Sequence, residues 1–281
     1  MRILELIKSV ILGIIEGITE WLPISSTGHM ILVDEFIRLD VSDEFKELFF
    51  VVIQLGAICA VPVLFWHKLN PFSKSKSAEE KKNTWNLWGK VILGALPAAV
   101  IGLILDDFLD EYFYNYVVVA IALIVYGIAF IAIEKIKSGR EYRVERVEEL
   151  TYTDALKIGA FQVLSLIPGT SRSGSTILGG MCTGVSRTAS AEFSFFMAIP
   201  IMLGASGLKI IKFLLDGFSA TGEEIAFLFV GIVISFLVSL FAIKFLMDFV
   251  KRHSFSPFGI YRIVLGVFVI GYFVIKSLLL A

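Results

Sequence analysis

Apolar residues run along this chain in blocks too long for a soluble core. Leu48–Trp66, Tyr116–Ile133 and Ile225–Ile243 carry no charge, and Trp85–Leu105 carries only Lys90 near its start. Phe193–Leu208 is shorter, but Lys209 and Lys212 beyond it can snorkel to an interface. A last run, Ile263–Ile275, extends through Lys276 to the end of the chain. A helix needs about 20 apolar residues to cross a bilayer. The pattern therefore predicts an all-α polytopic membrane protein with six transmembrane helices.

The loops sort by sign. His67–Lys90 holds Lys68, Lys74, Lys76, Lys81 and Lys82; Lys135–Lys157 holds Lys135, Lys137, Arg140, Arg143 and Arg146, with acids mixed in. Val250–Arg262 holds Lys251, Arg252 and Arg262, whereas Asp106–Glu111 and Asp216–Glu224 contain no Lys or Arg. Positive charge marks the cytoplasmic side, so the first three loops are expected inside and the acid-rich ones outside. Each predicted span then joins opposite faces.

Parity decides the rest. Tyr152–Val185 must leave and return on the inner side, and Pro168, Gly169 and Gly174 split it into arms too short to cross. A re-entrant hairpin is the economical reading. The first 45 residues have the same plan, broken at Pro23–His29. They are expected to form a hairpin entering from outside, which places the N-terminus outside despite Arg2 and Lys8. A shift of 146 residues superposes the halves. Gly13 falls on Gly159, Glu16 on Gln162, Ser25 on Ser171, Thr27 on Ser173, Gly28 on Gly174 and Tyr126 on Tyr272. One hairpin and three crossings per half give an inverted-topology repeat, with halves at about 1–135 and 147–281 of a single membrane domain, 1–281.

Composition agrees. Hydrophobic residues make up 57% of 281 positions and charged ones 18%, with 25 phenylalanines, so neither a soluble globule nor a disordered chain fits. A net charge of −1 offers no basic field for nucleic acid. Cys59 and Cys182, both in apolar runs, suggest packing residues rather than a disulfide framework or metal cluster. A cleavable signal peptide is not expected, because Glu5, Lys8, Glu16 and Glu20 interrupt the first apolar run.

The polar residues inside these apolar surroundings carry the chemistry. Glu16 and Glu20, four apart, share a helix face. Two carboxylates in lipid demand a cation, a proton or a basic partner, and Mg²⁺ or Ca²⁺ prefers such oxygens. After Pro23 come Ser25, Ser26, Thr27, Gly28 and His29. A helix capped by Ser25 would present free N–H groups to an anion, and His29 can act as acid, base or nucleophile. In the second hairpin Gln162 stands where the first has Glu16, and Ser171, Ser173, Gly174, Ser175 and Thr176 flank Arg172, a planar donor fork for phosphate. The set suits metal-assisted phosphoryl transfer: the acids hold the cation, Arg172 and backbone N–H groups balance negative charge, and Ser26 or His29 attacks or activates water.

Both motifs, Glu16-Gly-Ile-Thr-Glu20 and Pro168 to Ser173, resemble the undecaprenyl-diphosphate phosphatase family of bacteria, the bacitracin-resistance type. So do Gly-Val-Ser-Arg at 184–187, Glu-Phe-Ser-Phe at 192–195 and Ile-Tyr-Arg at 260–262. The resemblance implies a hydrolase in the bacterial plasma membrane that removes the terminal phosphate of a prenyl diphosphate lipid and so recycles the carrier for peptidoglycan synthesis. It also implies dependence on a divalent cation and a site open to the outer face. Residues matching Glu16, Glu20, Ser26, His29, Arg172, Ser173 and Thr176 are implicated, with Ser26 and His29 both open as nucleophile. The lipid bilayer is the expected surroundings, and a homo-oligomer is compatible with this picture. The rivals are an ion-coupled secondary transporter, which shares inverted repeats and midplane acids, and a prenyl-phosphate flippase on the same scaffold.

Overall fold

A computed structural model describes residues 2–280; the side chains of Asp106, Asp107, Asp110 and Leu280 lie outside that description. The chain folds as α1 (Ile3–Thr19), α2 (Ser26–Phe36), α3 (Asp43–Leu64), a single turn α4 (Trp66–Leu69), α5 (Ala78–Phe113) and α6 (Tyr116–Lys137). These are followed by α7 (Tyr152–Val163), α8 (Arg172–Cys182), α9 (Arg187–Leu215), α10 (Gly222–Val250) and α11 (Ser256–Leu280). Among the described residues there is no strand, only one isolated bridge between Val144 and Val185. Six helices, α3, α5, α6, α9, α10 and α11, are long and apolar enough to cross a membrane, one for each run picked out in the sequence.

Local chemistry sets the helix starts. Ser77 and Glu80 form a reciprocal capping box on α5, as do Thr151 and Asp154 on α7 and Thr221 and Glu224 on α10. Ser42, Asn115 and Ser186 cap α3, α6 and α9 with side-chain oxygens. Each cap satisfies a backbone N–H that the first turn leaves without a partner.

Ion pairs and ring contacts sort the helix ends into two groups. At one end Arg2, before α1, meets Asp40, after α2, at 2.6 Å, and lies 3.6 Å from Glu223 at the start of α10. Glu47 on α3 pairs with Lys209 on α9 at 2.6 Å, Lys276 on α11 pairs with Glu35 on α2, and Tyr116 stacks on Phe273. At the other end Arg143, before α7, bonds Asp154 on α7 and the carbonyl of Gly184 just past α8. There Glu134 on α6 accepts from Arg187 on α9 and from the backbone N–H of Phe255 before α11. Lys68 bridges Glu148 (3.0 Å) and Glu192 (2.6 Å) at this end. Burial works to lower the Lys68 pKa, but its bonds to Glu192 and Glu148 outweigh that and raise it above the ordinary lysine value. The pair α1–α2 thus leaves and returns at one end of the bundle, and α7–α8 at the other.

Packing exchanges elements between the two halves. The main partner of α1 is α10 and that of α7 is α5, while α6 lies along α11 and α3 along α9. Glycines let the first arms in. A Cβ on Gly13 would sit 2.8 Å from the carbonyl oxygen of Gly231, and one on Gly159 would overlap the carbonyl of Gly94.

Three expectations need correction. Arg262, counted among the charges of a cytoplasmic loop, lies inside α11 and is fully buried. The acid-rich stretch 106–111 is not a loop, since α5 continues to Phe113 and only Tyr114 and Asn115 separate it from α6. Cys59 and Cys182 are free thiols but exposed rather than packed.

Candidate active site

The two helix pairs meet at their turns. In both, the second helix starts after a serine with positive φ: Ser25 at φ 74° and ψ 103°, Ser171 at φ 73° and ψ 123°. Among the described residues they are the only non-glycine positions with positive φ. Such backbone is strained by about 1–3 kcal/mol and persists where the surroundings enforce it. Each serine turns the strain to use as an N-cap, Ser25 Oγ accepting from the N–H of Gly28 and Ser171 Oγ from that of Gly174.

Arg172, on the first turn of α8, reaches across to Glu20 just past α1: Nη2 lies 2.8 Å from Glu20 Oε1. Its other branch donates to the Ser194 carbonyl at 2.7 Å, and its guanidinium stands over the Trp21 ring. Ser26, the first residue of α2, donates to Glu20 Oε2 at 3.0 Å. Ser173 Oγ donates to the backbone carbonyl of Glu20 at 3.1 Å, and Thr176 ties back to Ser194 Oγ at 2.7 Å. Ser171 Oγ lies 3.2 Å from Ser173 Oγ. Glu20, Ser26, Arg172, Ser173 and Thr176, spread over some 150 residues of chain, therefore form one connected network.

Glu16 is 1% exposed, and its Oε1 has no hydrogen-bond partner. It lies within electrostatic reach of Glu20 and Arg172. Gln162 is fully buried, with both amide atoms unpartnered. Thr27 is half-buried on the first turn of α2, and Gly174 packs beside the Arg262 guanidinium. Among the described residues no three His, Cys, Asp or Glu side chains gather around one point. A hard cation held by one or two carboxylates, with water and phosphate oxygens as its other ligands, needs no such cluster. Two acids four apart, one with an unpartnered buried oxygen, fit that kind of ion.

His29 bonds elsewhere. Its Nδ1 lies 2.7 Å from the Ser25 carbonyl and its Nε2 2.7 Å from the Tyr261 hydroxyl, with the two rings nearly parallel. The structure thus links Ser26, not His29, directly to Glu20.

Arg262 joins the two turns. Nη1 donates to the Pro23 carbonyl at 3.1 Å, and Nη2 to those of Gly169 and Thr170 at 2.9 Å each. Its guanidinium also faces the Tyr126 ring. Sequence reasoning missed Arg262, Tyr261, Ser194 and Trp21 as parts of the site. The signal was present: Tyr261 and Arg262 belong to the Ile-Tyr-Arg run and Ser194 to the Glu-Phe-Ser-Phe run.

A family model described as "Bacitracin resistance protein BacA" matches residues 9–268. The chain belongs to this family. Among its relatives, one named undecaprenyl-diphosphatase from Enterococcus faecalis (strain ATCC 700802 / V583) is 59% identical, over 97% of this chain and 99% of the relative. Another of that name from Acetivibrio thermocellus is 58% identical over 96% and 98% of the two chains. A third from Desulfitobacterium hafniense is 54% identical over 99% and 100%. The family match, residues 9–268, spans both turns of this site.

Proposed function

We infer that this chain is a membrane phosphatase that hydrolyses undecaprenyl diphosphate to undecaprenyl phosphate and phosphate, recycling the lipid carrier of peptidoglycan synthesis. The observation that carries the reading is the Ser26–Glu20–Arg172 network at the junction of two helix pairs, in a chain whose close relatives bear that enzyme's name. A nucleophile hydroxyl already donates to a carboxylate, and a guanidinium stands on the same carboxylate. Ser26 can attack the terminal phosphorus as Glu20 Oε2 takes its proton and the bond to the undecaprenyl phosphate oxygen breaks, after which water cleaves the phosphoserine to free phosphate; or Ser26 holds a water that attacks directly, with the same bond broken. Arg172 is the donor fork for the phosphoryl oxygens, and the N–H groups opening α2 and α8 add donors where charge develops. His29, held outside the network, suits proton transfer to the leaving group better than attack. Ser25, Thr27, Ser171, Ser173, Gly174, Thr176 and Gln162 line or brace the phosphate pocket. A divalent cation, Mg²⁺ or Ca²⁺, would be held by Glu16 and Glu20 and, when bound, neutralises phosphate oxygens.

The two helix pairs are read as re-entrant hairpins of an inverted repeat, entering from opposite faces, with halves at about 1–135 and 147–281. In support, each pair returns to its own end, each first arm packs on the other half, and Ser25 and Ser171, equivalent under the 146-residue shift, share one unusual conformation. Arg2 and Lys8, the charges that argued against an outer N-terminus, are each paired with an acid, Asp40 and Glu5. The site then opens toward the outer face of the plasma membrane, where the prenyl tail stays in the leaflet while the diphosphate enters.

The test is phosphate release by purified protein in detergent, with undecaprenyl diphosphate and added Mg²⁺ or Ca²⁺. Release that is lost in Ser26→Ala and Arg172→Ala supports the reading. Passage of prenyl phosphate across sealed vesicles without any release would replace the enzyme with a flippase.

A further inference from the structure

His29 makes two side-chain hydrogen bonds, and together they fix its tautomer. The Ser25 carbonyl, 2.7 Å from Nδ1, can only accept, so Nδ1 must carry a proton. In the neutral ring Nε2 then holds the lone pair, and the Tyr261 hydroxyl 2.7 Å away is its donor. The ring centroids lie 5.6 Å apart with the planes 6° from parallel, so the tyrosine meets the imidazole edge to edge, nearly in its plane. Tyr261 itself is placed by its neighbour Arg262, which is anchored on the carbonyls of both turns.

We propose that Tyr261 is a positioning residue for His29, holding the imidazole as its Nδ1–H tautomer with the Nε2 lone pair directed at the Tyr261 hydroxyl, through which any proton exchange with the reaction runs. This deepens the phosphatase reading and rests on it for the part concerning catalysis. A hydroxyl suits the task because it works in both charge states. It donates to neutral Nε2, and after a half-turn about its C–O bond it accepts from the protonated Nε2–H. The histidine keeps this partner in both charge states: because the hydroxyl oxygen occupies the Nε2 lone-pair direction, a proton taken up by that oxygen is matched by the hydroxyl's own proton passing to Nε2, and the reverse shift returns it. Phenylalanine would keep the ring and remove this bond alone.

The experiment compares wild type with Tyr261→Phe in detergent, with ¹⁵N-histidine labelling and kinetics on undecaprenyl diphosphate. His29 is assigned by difference from His29→Ala, leaving His67 and His253 as the other two imidazoles. In wild type the neutral ring should show a protonated Nδ1 and a hydrogen-bonded, unprotonated Nε2. In Tyr261→Phe the Nε2 resonance should move to the position of an unbonded ring nitrogen. The variant's kcat should fall about tenfold, the rate equivalent of one modest hydrogen bond, with KM little changed. Tyr261→Phe should cost nothing further in a His29→Ala background. A wild-type ring protonated at Nε2, an unchanged spectrum in the variant, or wild-type kcat in the variant each overturns the proposal. Absence of prenyl diphosphate hydrolysis in wild type would instead sink the phosphatase reading, while the resonances still decide whether Tyr261 sets the tautomer.

Discussion

Arg172 and Glu20 stand 152 positions apart in sequence and 2.8 Å apart in space, joining the turn of one helix pair to that of the other. Both are nearly buried, with side chains 11% and 7% exposed. A buried pair of this kind is weak evidence for stability, because desolvating two charges offsets most of their attraction. Its position, sharing a carboxylate with Ser26, argues for a part in chemistry. Glu20→Gln and Arg172→Ala should each lower phosphate release about 10²–10³-fold, as loss of one preorganised charged group does elsewhere. The double variant should be little worse than either single one, since each removes the same working unit. Additive losses in a steady-state assay would mean that the two act independently.

Arg262 should matter more for integrity than its place in a transmembrane helix suggests. Its guanidinium satisfies carbonyls of Pro23, Gly169 and Thr170, none of which belongs to a helical ladder. A buried acceptor left without a donor costs about 1–3 kcal/mol. Arg262→Met should therefore lower the thermal unfolding temperature in detergent and abolish activity together. Arg262→Lys keeps the charge but loses the fork, so it should recover little of either. A variant as stable as wild type would show that the turns hold without the clamp.

Gly13 and Gly159 make a paired test of how α1 and α7 dock. A Cβ at either position meets a backbone carbonyl of the other half, Gly231 or Gly94, which cannot swing aside as a side chain tip can. Gly13→Ala and Gly159→Ala should each destabilise by about 1–3 kcal/mol, the usual cost of overpacking. Gly204→Ala on α9, with nothing within 4 Å of the added methyl, should be neutral or mildly stabilising. Melting curves of the three proteins check the contrast.

What could be read from the chain follows from the range of the interactions involved. The six long helices were legible because hydropathy is a local property: every uncharged run became a helix, with ends displaced outward to capping residues such as Ser42, Ser77 and Thr221. The serine cap at the first turn was legible for the same reason, Ser25 preceding a helix that begins one residue later; Ser171, which caps the second, was read only as one of the hydroxyls around Arg172. Arg262 was misread because charge counting treats a lone arginine near a helix end as a loop residue. Only the folded chain shows the carbonyls, about 90 and 240 positions away, that make its burial tolerable. The bond between His29 and Tyr261 is likewise a contact over 232 positions, with no periodicity to announce it.

Glu16 allows metal binding to be tested apart from the rest of the machinery. It takes no part in the Ser26–Glu20–Arg172 bonds, and one of its oxygens is buried without a partner. If that oxygen is a cation ligand, Glu16→Gln should raise the Mg²⁺ or Ca²⁺ concentration needed for half-maximal activity, with turnover partly restored at saturating metal. Chelation should stop the wild-type enzyme, and returning either ion should restart it. Calorimetric titration of metal into both proteins gives a readout that does not depend on activity. Equal affinity in the two proteins would remove Glu16 from the ligand set.

The sidedness of the two turns can be decided by chemistry at the helix ends. Ser42 caps α3 at the end where Arg2, Asp40 and Glu223 meet, and Ser138 caps the C-terminus of α6 near the opposite end. Single cysteines there, in a chain with Cys59 and Cys182 replaced, should label from opposite faces of sealed cells. Positive charge inside requires Ser42→Cys to react with an impermeant maleimide added outside and Ser138→Cys to react only after the membrane is opened. Because α1 and α2 return to the same end, Arg2→Cys should behave like Ser42→Cys. Agreement between those two makes α1–α2 a hairpin entering from outside; opposite labelling would mean that it crosses, and the symmetry relating Ser25 to Ser171 would lose its physical basis.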